Sequence, residues 1–161
     1  DYLKQKEKEL EEVIPEIERI QNISTEERKV TISDGLNSAK NIIKHLLDFK
    51  KPIFALGTSK EFIEILGAFF YEFHRLRIKR KIFLKTILES DAIKYIKKLN
   101  EMDFTEARYF PSYNSKTITY ICGERMIIIL LEMPISIITI QSESTANSYK
   151  HYFDILWEEA L

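Results

Sequence analysis

Apolar residues recur along the chain in two periods, and the changes of period mark its elements. Over residues 1 to about 22, Leu3, Leu10, Val13, Ile17 and Ile20 fall on the two seam positions of a heptad, with Lys6 in one seam slot. Glu and Lys fill the other faces. Pro15 falls off the seam, but it removes one helix hydrogen bond and predicts a kink. So narrow a seam in so charged a helix predicts self-pairing through those five residues. The other reading is a helix packed on its own domain.

The pattern then changes. Val30 and Ile32 alternate with Thr31 and Ser33, a short strand that ends in a turn at Asp34-Gly35. Ala39, Ile42, Ile43, Leu46 and Leu47 have helical spacing. "PIFAL" is a compact strand with Pro52 at its start and a break at Gly57. Thr58 and Glu61 have the spacing of a capping box for a helix that buries Phe62, Leu66, Phe69, Phe70 and Phe73. "KIFLKTIL" is a third strand. Strands and helices that alternate in this way predict right-handed crossovers and a parallel sheet.

"DAIKYIKKLNEM" reads as a short helix and "TEARYF" as a fourth strand. "KTITYICGERMIIILLEMPISIITIQS" reads as three strands of an antiparallel meander, broken at Gly123-Glu124 and near Pro134. A last helix, about Ser144 to Ala160, places Ala146, Tyr149, Phe153, Leu156 and Ala160 on one stripe. The expected class is α/β. An N-terminal coiled-coil helix precedes a mixed sheet flanked by helices, parallel in its first part and antiparallel in its C-terminal meander. The one boundary falls near Ile23, between a leader helix at 1–23 and an α/β domain at 24–161.

Composition narrows the function. The chain has 161 residues and a net charge of −1, so no overall basic field draws nucleic acid to it. Its single cysteine, Cys122, rules out an internal disulfide and fits a reducing cytoplasm. No apolar run reaches the about 20 residues of a membrane span. The first residue is Asp1, inside a helical pattern and without a signal peptide, which predicts a piece of a longer protein.

The stretch "FFYEFHRLRIKRKIFLK" sets a histidine beside many cations. Phe69, Phe73 and Leu76 are expected on the buried face, with His74 and Arg77 on the face next to it. Arg75, Lys79, Arg80 and Lys81 complement the negative end of the helix dipole. Nucleic-acid stacking would need aromatics interleaved with the charges, and here they precede them. His45, His74 and His151 have no partners at metal-ligand spacing, and no metal or cofactor is expected. Cys122 is expected to be a buried, inert thiol. The turns at Ser33-Asp34-Gly35 and Gly57-Thr58-Ser59 both follow a strand and open a helix. At the carboxyl edge of a parallel sheet, Asp34, Gly35, Thr58 and Ser59 would hold a small polar ligand between them. Simple helix capping needs the same residues.

The leader "KELEEVIPEIERI", the segments "VTISDGLNSAKNIIKHLL" and "PIFALGTS", the passage "FFYEFHRLRIKRKIFLK", the strand "EARYFP", the hairpin "ITYICGERMIIIL" and the ending "SYKHYFDILWEEA" occur in an order that resembles the C-terminal region of TrmB-like, archaeal-type transcriptional regulators. The resemblance implies a homodimeric effector-sensing domain. It implies DNA contact only through a winged helix-turn-helix absent from this chain. It also implies a fold similar to half of a phospholipase D, whose catalytic members use His-x-Lys-x-x-x-x-Asp. Counted from His74, the Lys and Asp positions hold Leu76 and Lys81; aligned on the "CGER" turn, the three positions hold Ser115, Thr117 and Cys122. Neither register keeps the chemistry, so no enzyme is expected. The sugar sensors of the family carry a further region, so sugar binding is not implied. A purely structural dimerisation module and a degenerate hydrolase are the competing readings.

Overall fold

The computed structural model describes residues 1–27, 29–111 and 115–161, the side chains of 21–27 excepted. Helix α1 (Tyr2–Glu27) is continuous through Pro15 and runs past Ile23. Strand β1 (Lys29–Asp34) leads to α2 (Leu36–His45) and a 3₁₀ turn at Leu46–Phe49. Strand β2 (Ile53–Thr58) is followed by α3 (Lys60–Leu66) and α4 (Ala68–Lys79). Strand β3 (Leu84–Leu88), a 3₁₀ turn at Ser90–Tyr95, α5 (Ile96–Asn100) and β4 (Thr105–Tyr109) come next. Strands β5 (Thr117–Cys122), β6 (Arg125–Leu130) and β7 (Ser136–Gln141) form the meander, and α6 (Glu143–Glu159) closes the chain.

One seven-stranded sheet has the order β1-β7-β6-β5-β2-β3-β4. β2, β3 and β4 are parallel; β5, β6 and β7 are antiparallel. β1 is not beside β2, as the alternation predicted. It pairs antiparallel with β7 at the far edge, Lys29 opposite Gln141. The fold class is the expected one, with β1 as its exception.

The two faces of the sheet follow the period of two. Ile53 and Ala55 of β2 join the larger core with α2 to α5, and Phe54 and Leu56 join the smaller core under α6. In α6 the buried residues are Ala146, Phe153 and Trp157, while Tyr149 is exposed, against expectation. Arg108 lies over the Trp157 ring and donates to its carbonyl at 2.7 Å, and Leu161 exchanges two backbone hydrogen bonds with Tyr109. These contacts pin the end of α6 to β4. Among the described residues no helix is long and apolar enough to cross a membrane.

The basic stretch is structural. The helix expected to run unbroken from Thr58 is split at Gly67, whose φ of 56° ends α3 and starts α4. Four buried residues, Phe70, Phe73, His74 and Arg77, face the core, and Phe69 and Leu76 lie only partly buried beside them. Arg77 is wholly buried. Its Nη1 donates to the carbonyls of Ile82 and Phe104 at 2.8 Å each, and its Nη2 reaches Thr105 Oγ1 and His74 Nδ1. A guanidinium only donates, so His74 accepts and is neutral. Burial lowers the Arg77 pKa to about 10, and burial, then the Arg77 charge, lowers that of His74 to about 3. His45 and His151 are exposed, and Cys122 is buried as expected.

Arg77→Met leaves these acceptors without a donor and should destabilise the domain by about 2–4 kcal/mol in denaturant unfolding. His74 should make the domain acid-sensitive. In the unfolded chain it takes up a proton near its ordinary 6.5, in the folded chain only near 3. As the pH falls through that window the unfolded state binds the extra proton, and stability drops by up to about 1.4 kcal/mol per pH unit. His74→Gln keeps an acceptor for Arg77 and does not titrate, so its unfolding midpoint should fall less steeply with acid than that of the wild type.

Candidate functional site

The carboxyl ends of β2, β3 and β4 meet the start of β5 beneath α6. Between them lies a cavity of about 310 Å³, lined by Leu56, Gly57, Glu89, Phe110, Ser115, Thr117, Thr119 and Leu156. Backbone bonds set its walls: Glu89 N–H donates to the Thr58 carbonyl at 2.9 Å and Phe110 N–H to the Leu88 carbonyl at 3.1 Å. Leu56, Thr117 and Thr119 all point to the α6 face because strand side chains alternate.

Gly57 makes the approach of β2 and β5 feasible. It sits at a break in the β2–β3 register, at a φ of 89°, and a Cβ there would lie 2.5 Å from the Thr117 carbonyl oxygen. Only glycine fits so close a strand and so positive a φ. Across the gap stands Glu89, 7% exposed. The Ser115 N–H donates to its carboxyl group, but Oε2 meets no hydrogen-bond partner among the described residues. Burial raises the pKa of this carboxyl group and the nearby Asp91 adds to the rise, while the Ser115 N–H opposes it.

The lining holds hydroxyls and one acid. The Ser115 hydroxyl lies 2.9 Å from Thr117 Oγ1 and 3.0 Å from the Thr117 carbonyl oxygen, so it is spent within its own turn. Among the described residues no histidine lines the cavity. Cys122, the third position of the "CGER" register, is at the other end of β5, with its thiol pushed up to about 11 by burial. Glu89 is the one acid of this lining, and the Ser115 and Thr117 hydroxyls pair with each other. Among the described residues no three potential metal ligands cluster.

The four turn residues expected to share a ligand are not brought together. Between the ends of β1 and β2 stand β7, β6 and β5, about 19 Å at the usual strand spacing. The crevice between the two turns therefore does not form, because β1 joined the far edge. Asp34 accepts from the Ser136 hydroxyl at 3.0 Å. Gly35 starts α2 at a φ of 95°, so a valine there would strain the turn. Thr58 and Ser59 are neighbours and buried, but on capping and core duty. Ser59, not Thr58, accepts from Phe62 N–H and caps α3; the Thr58 hydroxyl turns to Thr86 at 3.3 Å. The helix is broken at Gly67, and Thr58 and His74 line one small cavity of about 20 Å³, room for about one water. Glu89 escaped the sequence reading. Its trace was a lone acid directly after the third strand, at the edge where α/β sheets bind ligands.

The fold has solved counterparts. TrmBL2, an archaeal chromatin protein whose structure shows a novel mode of DNA binding, matches with a TM-score of 0.60 and 16% identity, over 100% of this chain and 67% of that one. NucT from Helicobacter pylori matches with a TM-score of 0.66 and 10% identity, over 84% of this chain and 99% of that one. Nuc from Salmonella typhimurium, a phospholipase D family member, matches with 0.57 and 14%, over 84% and 97%. The fold is phospholipase D-like. At these identities the likeness is one of fold, shared with a TrmB-like protein and with the phospholipase D group. No protein-family model and no curated protein sequence matches the chain.

Gly57→Ala should cost about 2–4 kcal/mol, since the added carbon meets the Thr117 backbone at a positive φ. Glu89→Gln should do the opposite. A buried carboxyl group with a raised pKa is most favourable below the ordinary value of 4.5 and costs stability as the pH rises through its folded value. The amide variant avoids that cost, so its thermal midpoint should exceed the wild type at neutral pH and converge on it in acid.

Proposed function

We propose that this chain is the dimeric regulatory domain of a DNA-associated protein, one that holds a small ligand and hydrolyses nothing. The observation that carries the reading is α1. It is a helix of 26 residues whose Leu3, Leu10, Val13, Ile17 and Ile20 are 50–75% exposed. An apolar stripe of that kind in a charged helix needs a cover, and a second copy supplies a matching seam. The charges favour a parallel pair. Glu9 and Glu16 flank the seam on the same side, so an antiparallel pair would set glutamates against each other, whereas a parallel pair sets Glu9 toward Ile14.

The division into a leader helix and an α/β domain follows from this reading, with DNA contact assigned to a separate winged helix-turn-helix. The likeness to TrmBL2 over the full chain supports it. The likeness to Nuc and NucT supports the fold of the domain, while the loss of His, Lys and Asp from both registers argues against their kind of chemistry.

Sedimentation equilibrium checks the pairing. The wild type should be a dimer at micromolar concentration, and the double variant Leu10→Asp, Ile17→Asp a folded monomer. A monomeric wild type would end the proposal. Hydrolysis is checked with bis(p-nitrophenyl) phosphate: no turnover is expected, and turnover abolished by Ser115→Ala or His74→Ala would restore the hydrolase reading.

A further inference from the structure

We propose that the cavity beside Glu89 binds a small organic cation, an ammonium or amidinium head on a compact apolar body. This deepens the reading of a ligand-holding domain and rests on it for the role of the ligand, but not for binding itself. A space of about 310 Å³ is within the range of small-molecule sites. Leu56, Phe110 and Leu156 offer an apolar surface, and Glu89, Thr117 and Thr119 offer polar atoms beside it.

Charge selects the head group. Among the described residues Glu89 is the only charged one in the lining, and Asp91 adds a second negative charge near it. The nearest cation in sequence, Lys116, is drawn off to Glu61 at 2.7 Å. A phosphate or carboxylate would meet a buried carboxylate with nothing to neutralise it, which is strongly unfavourable. A cation meets the opposite situation. Glu89 Oε2 is a buried acceptor without a donor among the described residues, and an ammonium or amidinium N–H satisfies it. The Ser115 N–H already holds the carboxyl group, so the acceptor is oriented before the ligand arrives. The threonine hydroxyls accept further N–H groups, and the Phe110 ring suits a neighbouring cation. A neutral hydroxylated ligand leaves the charge of Glu89 unmatched.

Calorimetric titration of the full chain tests this with benzylamine and benzamidine, against benzyl alcohol, benzoate and inorganic phosphate. At least one cation should bind saturably, and the alcohol and both anions should not. Glu89→Gln, which is expected to fold at least as well, should weaken cation binding tenfold or more. Equal affinity in Glu89→Gln, equal binding of benzyl alcohol or an anion, or no heat from either cation overturns the assignment. Sedimentation of the same samples reports dimerisation separately, so failure of the pocket and failure of the pairing are told apart.

Discussion

The domain is organised around a buried guanidinium that, among the described residues, pairs with no carboxylate. Arg77 sits at the end of α4 and holds the carbonyls of Ile82 and Phe104 together with Thr105 and His74. Ile82 lies in the turn before β3, Phe104 in the turn before β4, Thr105 opens β4, and His74 is on α4 itself. One side chain therefore fixes where two parallel strands begin. Parallel strands have no tight hairpin to set their register, so register must come from such cross-chain ties and from packing. With the amino ends fixed, Leu88 and Tyr109 end level with each other, and the residues just beyond them, Glu89 and Phe110, arrive at one edge.

At that edge the constraint is the missing side chain of Gly57. The bulge in β2 turns the strand toward β5, and Glu89 lies across the gap. A lining of hydroxyls and one acid stands at the place where the sheet ends. A buried acid with an unmatched oxygen is a stability cost that packing alone would not retain. The same fold recurs in TrmBL2, NucT and Nuc, and chemistry on a shared fold is carried by the residues at its edge and not by its strands.

Much of this was legible in the sequence. Every strand announced itself by alternation or by a compact apolar run, and the meander was set by Gly123 and Pro134. Local patterns do not specify which strands become neighbours, and β1 shows the consequence: Val30 and Ile32 alternate correctly yet join β7, not β2. That one placement took Asp34 and Gly35 away from Thr58 and Ser59. The helix break at Gly67 was also missed, because the phenylalanines on both sides keep helical spacing while the glycine adopts a positive φ. In sequence, Arg77 is expected beside the buried face, not within it. Its burial depends on three acceptors supplied by residues 5 to 28 positions away. Glu89 could have been found only by pairing a sequence rule about sheet edges with knowledge of which strands are parallel.

The placement of β1 also governs the order in which the protein can complete itself. β1 has β7 as its one strand neighbour, and the two lie about a hundred residues apart in the chain. On the ribosome, where chains emerge amino end first, β1 is made long before anything exists for it to pair with. Val30 and Ile32 wait, solvent-facing, on a bare edge, while β2 to β6 can already assemble among themselves. The sheet is then sealed from the other direction, by the last strand reaching back to the first. Until that moment the nascent domain carries an open strand next to the exposed leader helix, and two chains held side by side by their leaders would keep those open strands close together.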